Sequence, residues 1–189
     1  MKRQRDFGHK ILWLDEVNFT KLSIDKHAWS RMYSNIEVDQ SRIYRGYTSV
    51  CATIAQGTGV EALAIQKKAF NRWEYIQYLY WLRYINGDKP LCIFMDNLSV
   101  HKTRETYDAY RTLDIHPIFN LAYSPDYNPI ESIFSQVKRI FNRERLSKLA
   151  NDEDFNETKE VEDAFYKVTP NKIDPCIKHS EKLLNDLDK

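Results

Sequence analysis

An uninterrupted apolar run, LCIFM at residues 91–95, constrains the fold of this chain more than any other feature. A strand with one wet face alternates apolar and polar side chains, whereas a continuous run of this length belongs inside a sheet covered by helices on both faces. Gly87 and Pro90 precede it and Asp96-Asn97 closes it, so the strand is short and its end is polar. KILWLDEVNF, residues 10–19, is rich in strand formers and too short for a typical helix. A further strand over about 43–56 meets VEALAIQKK across Gly57-Thr58-Gly59, which reads as a hairpin with a glycine turn rather than a dinucleotide-binding loop.

Helical patterns alternate with these strands. Asn71 followed by Glu74 forms a capping-box signature, and the stretch to Ile85 is nearly all aromatic and aliphatic. Such a helix is expected to be buried on most sides, with Trp73, Tyr80, Trp81 and Tyr84 in the core. A polar helix is expected from about His101 to Leu113, then a short strand, IHPIF. Beyond a loop, Ile130, Ile133, Phe134, Val137 and Phe141 trace one face of a helix. The order strand, hairpin, helix, strand, helix, strand, helix is that of an α/β domain. A polar, acidic segment at about 150–160 leads to two amphipathic stretches, in the second of which Ile173, Cys176, Ile177, Ser180, Leu184 and Leu187 recur at helical spacing. The expected division is a core over residues 1–150 and a helical C-terminal extension over 151–189 packed on it.

Composition bounds the class. With 189 residues, 42% of them hydrophobic, one domain can bury a real core. No apolar run approaches the roughly 20 residues that span a bilayer, and the opening MKRQRDFGHK leads into an apolar stretch broken by Asp15 and Glu16. A soluble intracellular protein with no membrane partner is the expectation. Cys51, Cys92 and Cys176 form no CxxC pair, which argues against a zinc site or a disulfide framework. A net charge of +1 gives no global sign of nucleic-acid binding, so any such signal must be local.

Three acids stand out. Asp96 ends the buried strand, where ligand-contacting residues commonly sit in open α/β sheets. Asp15 lies in a strand that is otherwise almost all apolar, and an unpaired carboxylate buried there would cost several kcal/mol, which a bound cation would offset. By alternation Asp15 shares a face with Ile11 and Trp13, and Glu16 with Leu12 and Leu14; only one of the two is expected to point to a site, and spacing does not choose between them. Glu131 follows Asn128-Pro129-Ile130, so it also reads as the third residue of a capping box with proline at the first helical position. Hard carboxylate oxygens clustered on rigid elements suit Mg²⁺, the ion of phosphodiester chemistry without a protein nucleophile.

The segments LDEVNF, MDNLSVH and LAYSPDYNPIE resemble the three acidic motifs of mariner-superfamily DDE transposases, with 34 residues between Asp96 and Glu131 as in one major branch. SVCATIAQGTGVEALAIQ is similar to that family's hairpin, FNRWEYIQYL to the following helix and AFYKVTPNKIDPCIKHS to its closing helix pair, so the resemblance covers about residues 10–180. It implies an RNase H-like fold, a mixed sheet flanked by helices with a helical C-terminal extension. In that fold Asp15, Asp96 and Glu131 are the catalytic and metal-holding acids, bound to two Mg²⁺ ions for which Mn²⁺ substitutes. Asn97 and His101 match a D-N-x-x-x-H run and, with Glu16 and Asn128, are candidates for supporting the site or touching DNA; a cap or surface residue is the plainer use of His101.

The implied activity is metal-dependent DNA cleavage and strand transfer in cut-and-paste transposition, with a preference for TA targets. The rivals are a domesticated, non-catalytic DNA-binding or scaffold subunit and an RNase H-like nuclease acting on other nucleic acid. The implied partners are double-stranded DNA, as transposon ends and target, and either a second copy of the chain or a separate DNA-binding segment or subunit. The last follows because family members carry helix-turn-helix modules and few residues here precede the first strand. The implied location is the nucleus of a eukaryotic host, otherwise the cytoplasm. Lys138, Arg139, Arg143 and Arg145 follow Glu131 along its helix and are candidates for phosphate contact.

Overall fold

The apolar run does form a strand buried on both faces, and it lies between two parallel neighbours. A computed structural model describes residues 2–20, 47–122 and 124–187. Its five strands are β1 (Lys10–Thr20), β2 (Tyr47–Ala55), β3 (Gly59–Gln66), β4 (Leu91–Met95) and β5 (Ile115–Phe119). They form one sheet in the order β3-β2-β1-β4-β5. The β1–β2 and β2–β3 pairs are antiparallel, whereas β1–β4 and β4–β5 are parallel. Residues 43–46 of the expected second strand lie outside the described residues.

Among the described residues six α-helices accompany the sheet: α1 (Lys2–Asp6), α2 (Arg72–Asn86), α3 (Arg104–Thr112), α4 (Ile130–Ala150), α5 (Glu157–Tyr166) and α6 (Pro170–Leu187). Parity along the strands assigns the two faces. Leu12, Leu14, Leu91, Ile93 and Met95 pack with Tyr75, Leu79 and Leu82 of α2 and Tyr110 of α3. Ile11, Trp13, Val17, Phe19, Cys92 and Phe94 pack instead with Ile133, Phe134, Val137 and Phe141 of α4, and with Phe165 of α5 and Ile177 of α6. The side chain of Leu187, expected on the α6 stripe, lies outside the described residues. At the hairpin turn Gly59 has φ of 88° and sits so close to α6 that a Cβ would come within 3.0 Å of the Pro170 ring. The neighbouring Gly57 amide donates to Asp174 of α6 at 2.9 Å.

Two helical expectations need correction. The aromatic helix is amphipathic: Tyr75, Tyr78, Leu79 and Leu82 are buried, whereas Trp73, Tyr80, Trp81 and Tyr84 are exposed, Tyr84 by 84%. One face of α2 meets the sheet and no described element covers the other, so helical period, rather than hydrophobicity, decides which aromatics are inside. The expected helix from His101 divides into a 3₁₀ turn, Ser99–Lys102, and α3, because the Thr103 hydroxyl accepts from the Thr106 amide at 3.2 Å and starts a new helix.

Arg83 joins the ends of α2 and α3. Its guanidinium donates to the carbonyls of Leu113 (2.7 Å), Gly87 (2.9 Å), Lys89 (2.6 Å) and Asp114 (2.7 Å), acceptors that the helix ends and the following turns leave unmatched.

The burial pattern of α2 sets a test. Leu79→Ala is expected to cost about 2–5 kcal/mol in urea unfolding, and Tyr84→Ala to stay within about 0.5 kcal/mol of the parent. Equal losses would mean that the outer aromatic face is covered in the folded chain.

Candidate active site

The C-terminal end of β4 and the middle of β1 open into a cleft of about 700 Å³, closed on its third side by the start of α4 and the 120–125 loop. Asp15, Glu16, Asp96, Asn97, Asn128 and Glu131 all line it. Three separate elements thus bring Asp15, Asp96 and Glu131 to one place: a strand interior, a strand end and the first turn of a helix.

Asp15 is only 8% exposed. Its Oδ1 accepts from the Glu16 amide at 2.7 Å and its Oδ2 from Asn128 Nδ2 at 3.1 Å. The same Nδ2 donates to the Leu14 carbonyl at 3.2 Å, while Asn128 Oδ1 accepts from the Ile130 amide at 3.4 Å. Asn128 is therefore a buried bracket between β1 and the start of α4. Burial pushes the Asp15 carboxyl from its ordinary 3.8 up to about 7; the negative charges of Asp96 and Glu131 add to that effect, and the Glu16 amide and His101 oppose it.

The capping box expected at Asn128 and Glu131 is not formed. The Asn128 amide, which Glu131 would have to accept from, donates instead to Pro125 O at 2.8 Å, and α4 begins at Ile130. Glu131 is consequently left facing the cleft. Its carboxyl is raised by partial burial, with Lys138 opposing and Asp96 adding to the shift.

Asp96 follows β4 directly. Its Oδ1 accepts from the Leu98 amide at 3.2 Å and lies 3.0 Å from His101 Nδ1. His101 is fully buried, contrary to its reading as a cap or surface residue, and so does not itself reach a DNA surface. Its Nε2 lies 3.5 Å from Glu16 Oε1, and its ring lies against Tyr75 at 4.4 Å between centroids. Both contacts lie within ion-pair distance, although neither ring nitrogen has a partner in good hydrogen-bond geometry. Burial alone would lower its pKa, but the carboxylates of Asp96 and Glu16 outweigh that and hold it at about 9. Glu16 therefore does not turn away from the site: the two acids leave β1 on opposite faces, and Glu16 comes back to Asp96 through His101.

Asn97 braces the cleft wall. Its amide donates to Asn120 O, and Lys102 donates to its side-chain oxygen. Asn120, which sequence reasoning missed, joins the ends of β4 and β5 and shapes the loop. Its amide donates to Met95 O (2.7 Å), its Nδ2 to Ser124 O (2.7 Å), and its Oδ1 accepts from the Leu121 amide (2.8 Å). Its position just after the IHPIF strand was the available signal. Among the basic residues, Lys138 is partly buried, and Arg139 and Arg143 are exposed. Arg145 is buried with its guanidinium over Phe155, which takes it off any surface that could meet phosphate; it continues the inward stripe of Val137 and Phe141.

The donor set consists of hard oxygens that burial and mutual repulsion make short of positive charge, which suits a divalent cation such as Mg²⁺ or Mn²⁺. Among the described residues no group of three or more His, Cys, Asp or Glu side chains is arranged so that it could hold a metal ion. An open arrangement fits Mg²⁺, which keeps several waters and shares its coordination between one or two carboxylates and substrate phosphate.

A family model described as DDE superfamily endonuclease matches residues 10–152. No curated protein matches the chain. Among solved structures, the mariner Mos1 paired-end complex with Mg superposes with a TM-score of 0.62 at 18% identity, over 98% of this chain and 58% of that one. The Mos1 transposase catalytic domain with Raltegravir and Mn gives 0.54 at 18% identity, over 95% of this chain and 88% of that one. A simian T-cell lymphotropic virus intasome in complex with PP2A regulatory subunit B56 gamma gives 0.59 at 13% identity, over 85% and 48%. The likeness is one of fold, the RNase H-like mixed sheet flanked by helices. This chain spans 58% of the Mos1 chain in the paired-end complex.

The raised Asp15 pKa has a defined pH signature in metal-free buffer. A carboxyl whose folded pKa lies above its unfolded value favours the folded state most when protonated, so this contribution is complete below about pH 4 and lost as the pH rises towards 7. Carboxyl-carbon NMR in a chelator should show Asp15 titrating near 7, and melting temperatures should fall across that window apart from other groups. Glu131→Gln removes one neighbouring negative charge and is expected to lower the Asp15 midpoint. An Asp15 midpoint near 4 in the parent chain contradicts this account.

Proposed function

Because the chain belongs to the DDE superfamily of endonucleases, we propose that it is the catalytic domain of a mariner-type, cut-and-paste DNA transposase, with Asp15, Asp96 and Glu131 as its catalytic acids. One observation carries the reading: three carboxylates from three separate elements share one cleft, and the pKa of the buried one, Asp15, is raised by its burial with the charges of the other two adding to the effect.

These acids would hold two Mg²⁺ ions, or Mn²⁺ in their place, which would supply stabilisation of the attacking and leaving oxygens of a phosphodiester. The chain holds the carboxylates that receive them. Asp15 is fixed by the Glu16 amide and the Asn128 side chain, and Asp96 by the Leu98 amide and His101. Glu131 stands in the first turn of α4, where the helix dipole favours its ionised form. The His101 cation between Asp96 and Glu16 limits the accumulation of negative charge on the cleft floor. Water attacks phosphorus at the element's end and the 3′ oxygen leaves; the freed 3′-hydroxyl then attacks a target phosphodiester, whose own 3′ oxygen departs. No side chain is covalently modified. The substrate is double-stranded DNA.

Asp96→Asn is expected to abolish strand cleavage in Mg²⁺ on duplexes carrying candidate ends, while leaving duplex affinity within about threefold, since the carboxylate contributes metal affinity and no phosphate contact. Parallel gel cleavage and anisotropy titrations measure the two. Cleavage by the variant at the parent rate would reduce Asp96 to a turn residue. DNA binding without cleavage by the parent chain would favour a scaffold role.

A further inference from the structure

A second cleft, of about 470 Å³, lies between α4 and the α5–α6 junction and is lined by Gln136, Arg139, Ile140, Arg143, Lys167 and Lys172. Four cations from three elements face it and no carboxylate lines it. Glu144 stands beside it and pairs with Arg143 at 3.2 Å and with Lys167 at 3.4 Å. Asp174, close by on α6, is turned to the Gly57 amide instead. Arg139 and Lys172 have no carboxylate partner among the described residues, and both are exposed. We infer that this cleft is a second DNA-backbone site, separate from the acidic cleft, in which Arg139 and Lys172 neutralise phosphates of the duplex being cut.

The direction of α4 connects the two sites. Glu131, Ser135, Arg139 and Arg143 are all exposed and four residues apart, so they form one continuous ridge on the helix. The Ser135 hydroxyl folds back onto Glu131 O at 3.2 Å, leaving that part of the ridge low. At 1.5 Å per residue, Arg139 and Arg143 lie roughly 12 and 18 Å beyond Glu131 along the helix axis. Both distances are within one turn of duplex, about 34 Å, so DNA engaged at the three acids extends far enough to meet the cleft. A chain with a net charge of only +1 needs its cations gathered in this way to hold a polyanion beside a cluster of acids. The contacts would be to phosphate alone, giving position and salt-dependent affinity without sequence preference.

This inference rests on the proposed function for the identity of its ligand, but its test does not need catalysis. Anisotropy titrations of the chain with a duplex of about 30 base pairs, at several salt concentrations, give the salt slope, which falls by about 0.9 for each phosphate that is no longer neutralised. Arg139→Gln with Lys172→Gln is expected to weaken binding roughly tenfold and to lower the slope by about two. Lys67→Gln with Lys89→Gln removes equal charge from residues outside the cleft and is expected to change affinity less than about twofold. All four positions are exposed, and matching melting temperatures establish that the variants fold. An unchanged slope in the cleft variant, an equal loss in the control, or no duplex binding by the parent overturns the inference. Cleavage with an unchanged slope sinks this site alone, whereas a lowered slope in a chain that never cleaves upholds it and sinks the proposed activity.

Discussion

A carboxylate in the interior of the central strand, Asp15 of β1, sets the terms for everything near it. A buried charge without compensation is among the most unfavourable features a small domain can carry. Here the compensation is incomplete: one backbone amide and one asparagine serve the two oxygens, and two further acids stand nearby. Asn128 can supply its hydrogen bond only if the start of α4 is held against β1, and the pairing of β1 with β4 carries Asp96 to the same end of the sheet. The shape of the acidic cleft and the unfavourable energy within it thus have one origin.

The opposite face of β1 answers that charge in another way. Glu16 leaves the strand towards the α2 side and finds His101, whose other nitrogen faces Asp96. The imidazole is wedged on Tyr75, itself fixed by hydrogen-bond contact with Tyr110 at 3.0 Å in the α2–α3 core. Packing on one side of the sheet thereby positions a carboxylate on the cleft, and a change in α2 that lets His101 move would reach Asp96 without touching the cleft lining.

The buried strand, the hairpin and the inward stripe of α4 were legible because each rests on a local pattern: an apolar run, a glycine turn, a four-residue repeat. Asp15 and Asp96 were conspicuous because a carboxylate in an apolar strand, or at the end of one, is costly, whereas Glu131 read locally as a cap and joined them only through the family resemblance. What failed depended on tertiary partners that the local pattern does not reveal. Hydrophobicity alone put Trp73 and Tyr84 inside, but only one side of α2 has a sheet to pack against. Arg145 has the sequence context of one more surface cation, yet Phe155, ten residues on, lies beneath its guanidinium. The capping box at Asn128 satisfied every local rule, but Pro125 took the amide and Asp15 took the side chain. His101 was misplaced for the same reason, since Glu16 and Tyr75 are far from it in the chain.

The near-neutral net charge hides a strong segregation. Acids concentrate where β1, β4 and α4 meet, and the cations of α4 and α6 gather about 12–18 Å further along the α4 ridge. At physiological salt the Debye length is about 8 Å, so the two clusters are largely screened from one another and each acts on what lies directly against it. Lys138 is the exception, close enough to act on the Glu131 carboxyl. A polyanion approaching this surface would therefore be held by the basic cleft without losing that attraction to the acids, while the acids keep the negative potential that draws in small cations. Averaging charge over the whole chain erases the distinction, and the helix that carries both clusters restores it.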